Sequence, residues 1–212
     1  MTDIDYNRFY ALLADEVRAV TDFTQSMQRL LAWGSESIPH DAWTALKALD
    51  CSAEPGRVGK WLARVLKRSP CPFPVRGIYF GLGECTTRAG VEYADIYFAL
   101  MGEYQSSDKK LSWLWRDPRH YPDNACFRSK PLKAAGIICN EDEESGLGTP
   151  GHILFSIGFA ALLLASSLNG NIYRLLGGTE PIGIVTGFDS GDLFHLGALQ
   201  GDGFKATDGQ MT

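Results

Sequence analysis

Residues 75–82 read Val-Arg-Gly-Ile-Tyr-Phe-Gly-Leu, and a related pattern returns at residues 182–188 as Ile-Gly-Ile-Val-Thr-Gly-Phe. Both segments contain Gly-Ile-x-x-Gly followed by a large apolar residue. Each leads into a small or polar segment and then into a second run of β-favouring residues, which is the pattern of a β-hairpin. We therefore predict two hairpins in one antiparallel sheet of at least four strands.

The residues before the first hairpin have the periodicity of helices. Apolar side chains recur at three-and-four spacing from Asp5 to Trp33 and again from Arg57 to Lys67, and a shorter helix is expected after Pro39. The last of these helices carries a basic cluster, interpreted as a solvated face with contact to an acidic ligand as the alternative. Its members are Arg57, Lys60, Arg64, Lys67 and Arg68.

A nearly continuous apolar stretch covers His152–Leu168. Thr149 and Pro150 suit the start of a helix, and Asn169-Gly170 suits its end. The stretch is shorter than the about 20 apolar residues of a membrane span. We predict a buried central helix and no membrane contact.

These segments together predict an α+β fold in a single domain, residues 1–212. A helical layer (1–69) is expected to pack on the sheet and the buried helix (70–204). Three prolines between residues 70 and 74 mark the passage from one to the other. The polar, glycine-rich residues 205–212 are expected to form a frayed tail.

The net charge of −5 is unevenly distributed along the chain. Residues 1–69 carry nine basic and nine acidic side chains, whereas residues 140–212 carry two basic and nine acidic ones. An acidic surface disfavours nucleic acid and favours a basic protein partner. The five cysteines lack a C-x-x-C pair, and the N-terminus lacks the features of a secretory signal, so a reducing cytoplasm is expected.

Three sets of residues are candidates for binding a partner. The first set lies on the face of the first hairpin opposite its Ile/Phe/Leu side, and we call it the tyrosine face; the second is an acidic run; the third lies in the turn of the second hairpin. They are Tyr79, Tyr93, Asp95 and Tyr97; Glu141, Asp142, Glu143 and Glu144; and Asp189 and Asp192. The aromatic segment Glu103–Lys130 is expected to cover part of the tyrosine face, and a partner is the alternative cover.

Signatures of catalysis are weak in this sequence. The phosphate loops and the H-x-x-x-H, H-E-x-x-H and EF-hand spacings are absent, so no cofactor or metal is predicted. A Cys85 or Cys126 nucleophile with His120 or His195 has no support from spacing. A metal site formed by Glu84, Asp189, Asp192 and His195 requires both hairpin turns to lie at one end of the sheet.

In size, acidity and layout, with Gly77–Leu82 and Gly183–Asp192 as its centre, the chain resembles the bacterial immunity proteins that neutralise polymorphic toxins. The resemblance implies a small cytoplasmic protein that binds a cognate toxin, and the charge suggests a toxin with a basic groove, such as a nuclease. We therefore predict a non-catalytic protein-binding module. The alternatives are a small hydrolase or metal-dependent enzyme that uses the hairpin-turn carboxylates, and a structural subunit of a homo-oligomer.

Overall fold

The computed structural model describes residues 4–123, 125–140 and 147–211. Within them the chain forms an α+β fold of seven α-helices, one 3₁₀ helix and a seven-stranded mixed sheet, and this confirms the predicted fold class. The helices are α1 (Tyr6–Ala19), α2 (Phe23–Ser37), α3 (Ala42–Lys47), α4 (Glu54–Arg68), the 3₁₀ helix (Ser112–Trp115), α5 (Lys130–Asn140), α6 (Gly148–Ser167) and α7 (Gly170–Leu175). The strands are β1 (Gly77–Thr86), β2 (Glu92–Met101), β3 (Arg119–His120), β4 (Cys126–Phe127), β5 (Ile182–Phe188), β6 (Leu193–Gln200) and β7 (Gly203–Met211).

The N-terminal apolar run forms two helices instead of the single helix predicted. Val20 leaves the helical conformation with an extended backbone (φ −63°, ψ 113°). Asp22 then caps α2 by accepting the Gln25 backbone N–H at 3.1 Å. A carboxylate at this position satisfies a donor that has no helical partner, and so it favours a new helix start. Glu16 and Arg29 join the two helices through two N–O contacts of 2.6 Å.

The two glycine-isoleucine segments are neighbours in the sheet and pair in parallel. Gly77 lies opposite Gly183, and Leu82 lies opposite Phe188. The strand order is β3-β2-β1-β5-β6-β7, with β4 also paired to β2. Each predicted hairpin is antiparallel, but the join between them is parallel, so the sheet is mixed. The connection from β2 to β5 carries three helices, and a parallel pair requires a crossover of this kind.

The helices cover one face of the sheet. Ile78, Phe80 and Leu82 lie on this face and are almost completely buried, as the alternation along the strand predicts. Helix α6 packs against β2, β5 and β6 and against four other helices. Among the described helices, α6 alone is long and apolar enough to cross a membrane, yet 72% of its most apolar window is buried inside the protein. The predicted buried central helix is confirmed.

The other face of the sheet is covered by residues 103–116, which we call the covering segment. Trp113 of this segment is fully buried and lies on Gly77, where an added Cβ would meet the indole ring at 2.2 Å. Tyr104 lies on Gly183 at the same distance. Gly77 and Gly183 leave room for these two aromatic rings. Tyr79, which packs in the same cluster as Trp113, is only 5% exposed. The covering segment therefore hides part of the tyrosine face, as expected.

Strand β7 occupies the region where the sequence predicted a frayed tail. It pairs with β6 through a two-residue turn, with Gln200 opposite Gly203 and Leu199 opposite Phe204. Gly203 has a φ of +125°, which glycine adopts without strain. The expectation was wrong because β6 offers an open row of backbone donors and acceptors, and pairing with that row orders even a polar segment.

Candidate functional site

The parallel join brings the turns of both hairpins to the same end of the sheet, which we call the hairpin end. The turns are residues 87–91 and 189–192. Glu84, Glu92 and Asp189 are exposed at this end, with Arg88 as the basic residue of the first turn. A cavity of about 350 Å³ between the hairpins is lined by Glu84 and Asp189. Two distant parts of the sequence thus form one acidic edge.

Asp189 is held in place by two members of the tyrosine face. The hydroxyl groups of Tyr79 and Tyr97 lie 2.9 Å and 2.5 Å from the same carboxylate oxygen, Oδ1. Tyr79 also approaches the Gly187 carbonyl at 3.1 Å. Burial and then Asp189 raise the pKa of both phenols, so these phenols remain protonated and donate. The other oxygen, Oδ2, accepts no hydrogen bond in the described part of the chain, and Asp189 as a residue is exposed.

Two aromatic side chains of residues 103–130 are exposed, and one of them lies near Tyr97. Tyr97 is half-buried, and its ring lies over Gly81, where a Cβ would meet the ring at 2.3 Å. Tyr121 is 57% exposed and close enough to Tyr97 to raise its pKa slightly, after burial and Asp189. Trp115 is also exposed, at 58%. The sequence predicted that Glu103–Lys130 covers part of the tyrosine face, and it contains no spacing that would have distinguished these two exposed rings from the buried ones.

The other two members of the tyrosine face, Tyr93 and Asp95, contact neighbouring side chains of the fold. Asp95 is only 6% exposed, and its Oδ2 lies 3.9 Å from the Cys85 sulfur and 3.8 Å from the Cys126 sulfur. Tyr93 is half-buried beneath the ammonium group of Lys133, 4.8 Å from its ring centre. Strand alternation places these residues on the same face as Tyr97, but it does not give their depth. These two residues therefore pack within the fold beside the hairpin end. Tyr97 and Asp189 remain the candidate binding residues at that end.

Of the remaining candidate residues, Asp192 is described by the structure, whereas the acidic run is not. Asp192 is half-buried next to α1, where its charge raises the pKa of Tyr10 in addition to the larger effect of burial. Glu141–Glu144 lie outside the described residues. Asn140, which precedes them, donates its side-chain amide to the Glu92 carbonyl at 3.2 Å. Helix α5 therefore ends at the hairpin end.

In the described part of the chain, neither Cys85 nor Cys126 has a hydrogen bond to His120 or His195. His120 contacts Ser69 at 3.3 Å, and His195 contacts Tyr104 at 3.4 Å beneath the covering segment. Burial raises the pKa of the Cys85 and Cys126 thiols, and this disfavours the reactive thiolate. Among residues 4–123, 125–140 and 147–211, no group of three His, Cys, Asp or Glu side chains has an arrangement that could hold a metal ion.

The stability of the protein should depend on the charge of Asp95. Burial raises its pKa, with Arg128 as the largest opposing influence. Below the unfolded pKa of about 3.9, the carboxyl is protonated in both states and costs nothing. Between that pKa and the higher folded pKa the unfolded state loses its proton first, so the fold loses stability as the pH rises, and the cost is complete above the folded pKa. We expect Asp95→Asn to raise the Tm by a few degrees at pH 7 and by much less near pH 4. Thermal unfolding of both proteins at both pH values measures this effect. A Tm of Asp95→Asn below that of the unchanged protein at pH 7 contradicts the prediction.

The fold and this edge define an α+β protein with an exposed carboxylate that is held by two tyrosine hydroxyls. No family model, curated protein or solved structure matches the chain.

Proposed function

We propose that this protein is a non-catalytic binding module whose hairpin end engages a basic surface of another protein. The observation that carries the proposal is the exposed Asp189 carboxylate, which Tyr79 and Tyr97 hold through one oxygen and whose other oxygen accepts no hydrogen bond in the described part of the chain. A group that is already held in its binding geometry loses little conformational entropy when a partner arrives. The open oxygen is suited to accept from an arginine or lysine side chain.

The neighbouring aromatic rings supply the contact area that such a bond needs. Tyr97 donates to the carboxylate and Tyr121 lies near Tyr97, and tyrosine is enriched at the energetic centres of protein interfaces. An arginine that reaches Asp189 can also stack on an aromatic ring. Glu84 and Glu92 add long-range attraction for a basic partner, and this raises the association rate and the selectivity more than the final affinity.

The particular role that we propose is that of a cytoplasmic immunity protein in a bacterium, which binds and neutralises a cognate toxin. The toxin class that fits the charge best is a nuclease, because carboxylates at the hairpin end can occupy the positions of substrate phosphates in a basic groove. The size and acidity of the chain and the exposed carboxylates at one end support this role.

The test is co-purification with the protein encoded next to this gene, followed by affinity measurements at several salt concentrations. We expect Asp189→Asn to weaken the complex about tenfold or more, since a hydrogen bond to a charged group contributes about 1.5–3 kcal/mol. The matched control is Asp202→Asn in the exposed β6–β7 turn at the other end of β6, where Asp202 pairs with Lys205. This control should change the affinity less than about twofold.

Three outcomes contradict the proposal. The first is the absence of a complex with the neighbouring protein, and the second is an equal loss of affinity in both variants. The third is turnover of ester, phosphate or nucleic-acid substrates that Asp189→Asn abolishes, which is the result that the hydrolase alternative predicts. The homo-oligomer alternative predicts a mass that rises with concentration, but the burial of Tyr79 removes one of the residues that it would use.

A further inference from the structure

A second concave surface lies between helix α4 and strand β4, and we call it the basic groove. It consists of two adjoining cavities of about 320 and 380 Å³. Trp61, Arg64 and Cys126 line both cavities, so the two form one continuous groove. Its lining shares no residue with the cavity at the hairpin end.

Cationic side chains from two elements converge on the first cavity. Arg57, Lys60 and Arg64 come from one face of α4, and Arg128 follows β4. Arg57 forms an ion pair with the buried Glu54. In the described part of the chain, the other three have no carboxylate within ion-pair distance, and no carboxylate lines this cavity. Lys60, Arg64 and Arg128 therefore line the first cavity without an ion pair to a described residue, while Asp123 lines the second cavity and Asp95 interacts electrostatically with Arg128.

The structure divides the basic cluster that the sequence placed on a solvated helix face. Arg57, Lys60, Arg64 and Arg68 line the groove, whereas Lys67 lines neither cavity. Trp61 and Phe127, at 5% and 4% exposure, form an apolar wall behind the cations. Clefts with charge of one sign and a low-dielectric wall concentrate counter-ions more strongly than a flat solvated face does.

We infer that the basic groove binds the phosphate group of a small molecule, either as free phosphate or as a phosphate ester. The planar guanidinium groups of Arg64 and Arg128 match the oxygens of phosphate, and Lys60 adds a mobile donor. The volume of each cavity is that of a small-molecule site, and the apolar wall offers contact to the organic part of an ester. A concave site of this size favours a compact anion over an extended acidic peptide.

The test uses phenyl phosphate and inorganic phosphate in titration calorimetry on the full chain at constant ionic strength. We expect saturable binding that Arg64→Gln weakens at least tenfold. Lys67→Gln removes the same charge from the same helix outside the groove, and it should change binding less than twofold. Tighter binding of phenyl phosphate identifies an ester as the ligand class, and equal binding identifies free phosphate.

The inference is overturned if neither anion gives saturable binding, or if Lys67→Gln weakens binding as much as Arg64→Gln, because the effect is then unspecific screening. Tighter binding of a glutamate peptide of equal charge also overturns it, in favour of an acidic protein segment.

A second measurement does not depend on any variant. Cys126 is an exposed residue that lines both cavities, whereas Cys71 is half-buried and lines neither. Saturating phenyl phosphate should slow iodoacetamide alkylation of Cys126 at least threefold and leave Cys71 unchanged, as followed by peptide mass spectrometry. An unchanged rate at Cys126 contradicts occupation of the groove.

Discussion

Replacing Trp113 by alanine is expected to lower the free energy of unfolding by about 3–5 kcal/mol. The indole is fully buried, packs edge-on against Tyr104 with 5.2 Å between ring centres, and fills the space above Gly77. Because Gly77 has no side chain, it cannot fill the cavity that the alanine leaves beside it. The covering segment should loosen over Tyr79, and urea unfolding measures the loss.

The matched control lies two residues further along the same 3₁₀ helix. Trp115 is 58% exposed, so Trp115→Ala should change the free energy of unfolding by no more than about 0.5 kcal/mol. Equal destabilisation by the two substitutions would show that the covering segment is held by the helix itself and not by the ring on Gly77.

Replacing Gly187 by alanine is expected to cost about 3 kcal/mol and to weaken partner binding. Gly187 has a φ of +153°, and a Cβ there would lie 1.9 Å from the Asp192 carbonyl oxygen. The obstacle is backbone, so it cannot be relieved by rotating a side chain. The turn that carries Asp189 must shift instead, and this separates the carboxylate from the two tyrosine hydroxyls.

A substitution at Gly191 separates the two causes of this effect, which are the positive φ and the collision of the Cβ with the backbone. Its φ is +126°, also unfavourable for alanine, but an added Cβ would have no atom within 4 Å. Gly191→Ala should therefore show the conformational cost alone, about 1 kcal/mol. Thermal unfolding and partner affinity are measured for both variants, and equal effects would rule out the collision with Asp192 as the cause.

The repeated glycine-isoleucine pattern predicted both hairpins correctly because hairpins are local. The parallel join could not be predicted in the same way, because nothing in residues 75–82 specifies a neighbour so distant in the sequence. The glycines of the repeat also leave room for aromatic rings on the sheet, and side-chain alternation does not predict this. Gly77 and Gly183 meet across the join and each accommodates an aromatic ring of the covering segment.

The candidate site was predicted as separate parts. Tyr79 and Tyr97 were identified from the strand pattern, and Asp189 was identified as a turn residue with acidic character. Their hydrogen bonds depend on the parallel join and were therefore not predictable. Asp95 was assigned to the same surface because alternation gives the face of a sheet, whereas its burial depends on Cys85 and Cys126 on neighbouring strands.

The parallel join also determines when during synthesis the hairpin end can form. Strand β1 has its antiparallel neighbour β2 early, but its other edge stays unpaired until β5 has left the ribosome. An open edge of this kind can pair with the wrong strand, and joining segments so distant in sequence slows folding. Because Asp189 follows β5 directly, the carboxylate reaches its tyrosine partners only in a nearly finished chain, and the capacity to bind a partner arises together with the completed fold.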